Sequence, residues 1–194
     1  MSAYKDYMFL LRPSALVNQQ IKFFKEKAAA HIGVFPSLKS SAHISITEYT
    51  RQKPFMMEPA LDMATKRIER MAPVQLQING FNFFPHGEER MTIYAVIQPT
   101  YQTDKWFDTL SKQLQLKKKI TPHITIARSI GIDAFYQLWP HFRPIAYKER
   151  FEVTQLTILE RETFAPNKKW EIYREIPFKK DPAMNIREEA WSDY

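Results

Sequence analysis

His43-Ile44-Ser45-Ile46 and His123-Ile124-Thr125-Ile126 are two copies of one pattern, 80 residues apart in a chain of 194. Side chains alternate between the two faces of a strand, so in each copy the histidine and the hydroxyl residue share one face. The isoleucines share the other, which must be core. Each segment therefore offers an imidazole and a hydroxyl about 7 Å apart along the backbone, a span that can hold a phosphate.

Read outward, the surroundings repeat as well. Residues 5–12 read as a buried strand stopped by Pro13, with Ser14 placed to cap a helix over about 15–31. A strand over 42–49 carries the first pattern. Pro54 and Pro59 bracket a loop, and a helix is expected over 59–71. Residues 74–84 alternate as a strand, Pro85-His86-Gly87 reads as a turn, and 89–98 as the returning strand. The order then recurs: Pro99 ends that strand, a helix follows over 101–116, and a strand over 122–128 carries the second pattern. A short helix at 131–141 and strands at 149–161 and 169–177 complete the reading.

Two strand–helix–strand–helix–strand units predict an α+β, bilobal molecule. Its lobes are related by a pseudo-two-fold, with antiparallel sheets around a central cleft. Residues 1–178 are read as one domain whose lobes mix roughly 1–88 and 89–178. The polar stretch 179–194 is read as a flexible tail. The two histidine segments are expected to line the cleft from opposite sides.

The chain is 44% hydrophobic, enough for a substantial core, and has no cysteine, which excludes disulfides and thiolate chemistry. No apolar run reaches membrane-spanning length, so a cytoplasmic protein with no membrane partner, a monomer, is expected. The net charge of +7 favours an anionic partner weakly.

Paired histidines suit chemistry at phosphorus. Cleaving or forming a phosphodiester needs one group to take a proton from the attacking oxygen and another to protonate the leaving oxygen. Histidine does both near neutral pH. Ser45 and Thr125 can donate to the non-bridging oxygens. The alternative, that both histidines are ordinary strand residues, does not explain why the pattern occurs twice at the same place in a repeat. There is no Walker loop, glycine-rich dinucleotide turn or Asp/His metal cluster in the sequence, so no metal and no cofactor are expected.

With these residues in view, the chain resembles the two-histidine phosphoesterase superfamily, which contains RNA 2',3'-cyclic phosphodiesterases, also called 2'-5' RNA ligases. That family is defined by two His-x-Ser/Thr-x motifs. The second copy here has a preceding Pro122 and a following Ala127-Arg128. The first has Ala42 where proline is common. The resemblance covers roughly 5–178. It implies a bilobal fold, His43 and His123 as catalytic acid and base, and Ser45 and Thr125 as phosphate ligands. It implies a nucleotide or RNA substrate with a 2',3'-cyclic, related cyclic or 2'-5' linked phosphodiester. It leaves open hydrolysis, the reverse ligation, or a nucleotide- or RNA-binding module without turnover.

Five further residues are candidate substrate contacts: Phe9, Arg12, His86, Tyr94 and Arg128. In a regular strand, Arg128 would point away from His123, three residues after Thr125. His31 and His141 close helices and read as structural. Lys117-Lys118-Lys119 read either as a rim that steers RNA or as a solvated helix end.

Overall fold

In the computed structural model, residues 4–164 and 169–179 are described. The tail expected from Lys179 onward lies, past that residue, outside them. Eight strands form one antiparallel sheet in the order β6-β3-β4-β5-β2-β1-β7-β8. In chain order the elements are β1 (Lys5–Leu11), α1 (Ala15–Ile32), β2 (Ile44–Gln52), α2 (Pro54–Ile68), β3 (Val74–His86) and β4 (Arg90–Ile97). They continue with α3 (Tyr101–Gln113), β5 (His123–Gly131), α4 (Ile132–Phe142), β6 (Lys148–Val153), β7 (Gln155–Glu162) and β8 (Glu171–Pro177).

The expected α+β fold and its internal repeat are present. From the centre outward one half runs β2-β1-β7-β8 and the other β5-β4-β3-β6. β3, from the first half of the chain, has joined the second half of the sheet, and β7 and β8 have done the reverse. The repeat extends to the helix starts. Ser14 accepts a hydrogen bond from Val17 N at 3.3 Å. Thr100 does the same from Thr103 N at 3.1 Å. Each cap follows a proline that stops a strand.

The halves are two parts of one sheet, joined at a seam between β2 and β5 that has one register pair, Ile44 opposite Ile124. The histidine segments are thus strand neighbours rather than separate facing walls. The sheet cannot be flat. β6 and β7 stand first and seventh in the order, which would separate them by about 29 Å in a planar sheet. Only Thr154 lies between Val153 and Gln155, and that step spans at most about 7 Å. The sheet must therefore roll until its two halves approach each other.

This crossing corrects the single strand expected over 149–161. Its core positions change phase across Thr154, from Phe151 and Val153 to Leu156 and Ile158, and its first part pairs with β3 and its second with β1. Helix α2 starts at Pro54, not near 59, with Pro59 inside it. Proline is favoured in a helix's first turn because its missing N–H would have no intrahelical partner there. Strand β3 runs through Pro85 and His86, and the turn begins at Gly87 (φ 66°). Helix α3 ends at Gln113, so Lys117, Lys118 and Lys119 are exposed on the connection to β5 rather than on a helix end.

The side of the sheet opposite the histidines is core. Tyr7, Phe9 and Leu11 of β1, Ile44 of β2, Ala95 of β4 and Ile124 of β5 are each at most 2% exposed. Helix α4 packs Phe135 and Trp139 against Phe83, with ring centroids at 4.8 and 5.0 Å. Because the seam has so little backbone pairing, its stability rests on buried side chains. Truncating Ile124 to alanine is expected to cost about 3 kcal/mol in denaturant unfolding. A loss under about 1 kcal/mol would show that the seam is held by something else.

Candidate functional site

Paired residues in an antiparallel ladder put their side chains on the same face. His123 pairs with Val96, Thr125 with Tyr94, and Tyr94 with Asn82. Phe84 and His86 continue the alternation from Asn82 along β3. The rings confirm this arrangement. Tyr94 and Phe84 lie 5.2 and 5.4 Å from the His123 ring, both edge-to-face, and Phe84 lies 5.2 Å from Tyr94 and 5.0 Å from His86. His123 thus stands beside an aromatic wall of Tyr94, Phe84 and His86. Phe84 was missed in the sequence. Carried on from Val74, Leu76 and Ile78, the period-two pattern puts Phe84 on the core side, and the irregularity in β3 between Ile78 and Phe81 is what turns it to the site.

On the first half, Ser45 pairs with Leu10, which sets the parity of β1. Phe9 therefore points the other way. It is 2% exposed and packs edge-to-face on Tyr49 at 5.5 Å. The expectation that Phe9 contacts substrate is overturned by this alternation. Arg12 has the parity of Leu10 and so lies on the histidine side. It is exposed and forms an ion pair with Glu175 at 3.6 Å. Carried one step either side of Ile44 and Ile124, the antiparallel register sets His43 abreast of Thr125, and Ser45 abreast of His123. Each imidazole thereby has a hydroxyl residue of the other motif across the seam, besides the one two residues along its own strand.

Arg128 reaches this face through a β-bulge. Tyr94 pairs with Thr125 but Ile93 pairs with Ala127, so β5 advances two residues while β4 advances one. The extra residue, Ile126, offsets the alternation. Ala127 turns into the core with Ile93, and Arg128 returns to the side of Thr125. β2 has the same irregularity at the equivalent place. Leu10 pairs with Ser45 and Phe9 with Thr47, passing over Ile46. There the re-aimed residue is Glu48, 3.7 Å from Arg161. The site is therefore built symmetrically but charged asymmetrically, with an arginine on one strand and a carboxylate on the other.

The two imidazoles are held alike. His43 Nδ1 lies 2.9 Å from the carbonyl of Ser41, and His123 Nδ1 lies 2.8 Å from that of Thr121. A carbonyl oxygen only accepts, so each Nδ1 carries a proton and donates it. In the neutral ring, Nε2 is then left as the free base. In the charged ring, Nε2–H is the acid. Burial pushes both histidines below their ordinary value of 6.5, against the opposing effect of these carbonyl bonds. Nearby cations push the same way as burial. Lys25, His123 and Arg128 act on His43, and Arg128 and His86 act on His123. His43 responds to charges on β5, which places the two motifs in one electrostatic site.

The remaining histidines are elsewhere. His31 of α1 and His141 of α4 stack on each other at 4.1 Å. Among the described residues, no three His, Asp, Glu or Cys side chains converge in a set that could hold a metal ion. No helix among them is long and apolar enough to cross a membrane.

Comparison with known proteins identifies the fold and the family. No curated protein matches the chain. Among solved structures it is similar to Escherichia coli LigT complexed with 3'-AMP, with TM-score 0.64, 13% identity, and 91% of this chain and 99% of that one covered. It is also similar to the same protein complexed with phosphate, with TM-score 0.62, 13% identity, and 92% and 100% covered. Kluyveromyces marxianus Usb1 is more distant, with TM-score 0.53, 10% identity, and 91% and 99% covered. Residues 19–163, which hold both histidine motifs, match the family model of the 2'-5' RNA ligase superfamily, and the chain belongs to that superfamily.

Proposed function

We propose that this protein is a phosphodiesterase that opens a 2',3'-cyclic phosphate, or cleaves a related cyclic or 2'-5' linked phosphodiester, on a nucleotide or RNA. The observation that carries the reading is the matched state of the two imidazoles. Both have Nδ1 tied to a backbone carbonyl two residues earlier, and both therefore present Nε2 for proton transfer. Two such groups in one site supply one base and one acid without a conformational change.

In the hydrolytic direction, one neutral Nε2 takes a proton from the attacking water as its oxygen bonds to phosphorus. The other ring, protonated, gives its Nε2 proton to the sugar oxygen whose bond to phosphorus breaks. The product is a phosphomonoester or a cut strand, and the two rings have exchanged roles. In ligation a 5'-hydroxyl takes the place of the water: one Nε2 takes its proton as its oxygen bonds to the phosphorus of a 2',3'-cyclic phosphate, and the other ring gives its proton to the 3'-oxygen whose bond to phosphorus breaks. Ser45, Thr125 and Arg128 would hold the non-bridging oxygens as charge builds there. The edge of Phe84 and the ring of Tyr94 beside His123 offer a surface on which a base can stack. LigT, bound to phosphate in one structure and to 3'-AMP in another, is consistent with a nucleotide phosphate in such a site.

Because both histidines are displaced below 6.5, kcat/KM should be bell-shaped with an optimum on the acid side of that value. A profile that stays flat between about pH 5 and pH 8 would contradict catalysis by imidazoles.

Replacing His43 or His123 with alanine should each cost about 10²–10⁴-fold in turnover of the best member of a panel of cyclic and 2'-5' linked nucleotides. Replacing Ser45 or Thr125 with alanine should cost about 10²–10³-fold in kcat. Turnover should survive EDTA. Wild-type rates from His43→Ala or His123→Ala would end the proposal.

A further inference from the structure

Lys25 is the one lysine fully buried among the described residues, 2% exposed in the middle of α1, and it has no carboxylate partner. Its ammonium instead has a complete set of neutral acceptors. Nζ donates to Ser37 O at 2.9 Å, to Ser40 O at 2.7 Å and to Ser40 Oγ at 2.9 Å. That is one acceptor for each of its three protons. Removal from water still costs the cation, and burial pulls its pKa down from 10.5 to about 8. Ion pairing does not explain why such a residue is kept here.

The acceptors show what it holds. They belong to the connection between α1 and β2, the segment that leads into His43. Asn18 Oδ1, also on α1, accepts from Ala42 N at 2.8 Å. Helix α1 thus fixes this segment on both sides of Ser41, whose carbonyl sets the tautomer of His43. The same segment reaches the second motif. Ser37 Oγ donates to Ile126 O at 3.0 Å and accepts from Arg128 N at 2.9 Å. These backbone groups flank Ala127 at the β5 bulge, on a strand whose pairing with β2 is limited to Ile44 and Ile124. Past Ile124, β5 has no register partner in β2, and one buried hydroxyl bonds both groups and so braces the bulge.

We propose that Ser37, held in place by the Lys25 cage, is a positioning residue that fixes the β5 bulge and so keeps Arg128 turned toward the two histidines. Its role in turnover rests on the phosphodiesterase reading, but its effect on Arg128 does not. Without Ser37 the bulge has an unpaired carbonyl and amide, and sliding back into regular pairing would turn Arg128 away.

The test uses His123 as a reporter, since Arg128 lowers its pKa and Lys25 is not among the charges that act on it. The pKa of His123 would be measured by NMR titration in the free protein, with no substrate. Arg128→Ala should raise it. Ser37→Ala should raise it in the same direction while the protein stays folded, and Lys25→Met should do likewise. In an Arg128→Ala background, Ser37→Ala should change nothing more. In turnover, Ser37→Ala should lower kcat/KM by tenfold or more, toward the roughly 10²-fold cost of a misplaced group, and should lower it no further once Arg128 is gone. A His123 pKa unchanged by Ser37→Ala, or a shift just as large without Arg128, overturns the proposal. If the wild type turns over no phosphodiester, the functional reading fails, and the titration still decides the role of Ser37.

Discussion

Between β2 and β5 the sheet is held by a single register pair, Ile44 against Ile124, and the site depends on how little backbone is shared there. A full ladder would fill the seam with paired strands. One pair of buried isoleucines joins the halves and lets the chain diverge on either side. It also sets the parity of both motifs together: with the isoleucines turned into the core, the histidines and hydroxyls must face the other way. A slip of one residue in either strand would bury an imidazole and expose an isoleucine. The hydrophobic cost of that slip is what keeps the chemistry aligned.

The bulges at Ile46 and Ile126 are the second device. Each adds a residue next to the motif, so that the residue three positions past the hydroxyl returns to the site. Position 128 supplies a cation and position 48 a carboxylate, which breaks the symmetry that the imidazoles keep. The cation has two effects. It depresses the basicity of both rings, which favours the neutral form needed in a base, and it is available to a phosphate. A bound dianion or monoanion would offset that depression and restore an acid.

Much of this could be read from the sequence. The repeated His-x-Ser/Thr pattern, its alternation and the prolines that punctuate both halves were enough for the fold class and for setting His43, Ser45, His123 and Thr125 on one face of the sheet. What could not be read came from long-range pairing. Thr154 was passed over as a break because the pairing of β6 and β7 with different halves of the sheet is long-range, although the buried positions change parity across it, from Phe151 and Val153 to Leu156 and Ile158. Phe9 looked available because parity in β1 follows from its register against Ser45, which no local pattern reveals. Arg128 looked misdirected because a bulge carries no local signature here. Phe84 was hidden by the irregularity between Ile78 and Phe81, which reverses the parity of β3. Lys25 is the clearest case: on the helix it occupies a core position, and only the fold shows that a loop wraps its ammonium.

The central claim is that the Nε2 atoms of His43 and His123 stand on opposite sides of one phosphorus. A crystal structure with a nucleoside vanadate, which adopts the trigonal bipyramid of phosphoryl transfer, tests it most directly. The account predicts the vanadium between the two rings, one apical oxygen bonded to each Nε2, and both Nδ1 atoms still on the carbonyls of Ser41 and Thr121. Vanadate bound elsewhere, or with both apical oxygens away from one of the histidines, would contradict it.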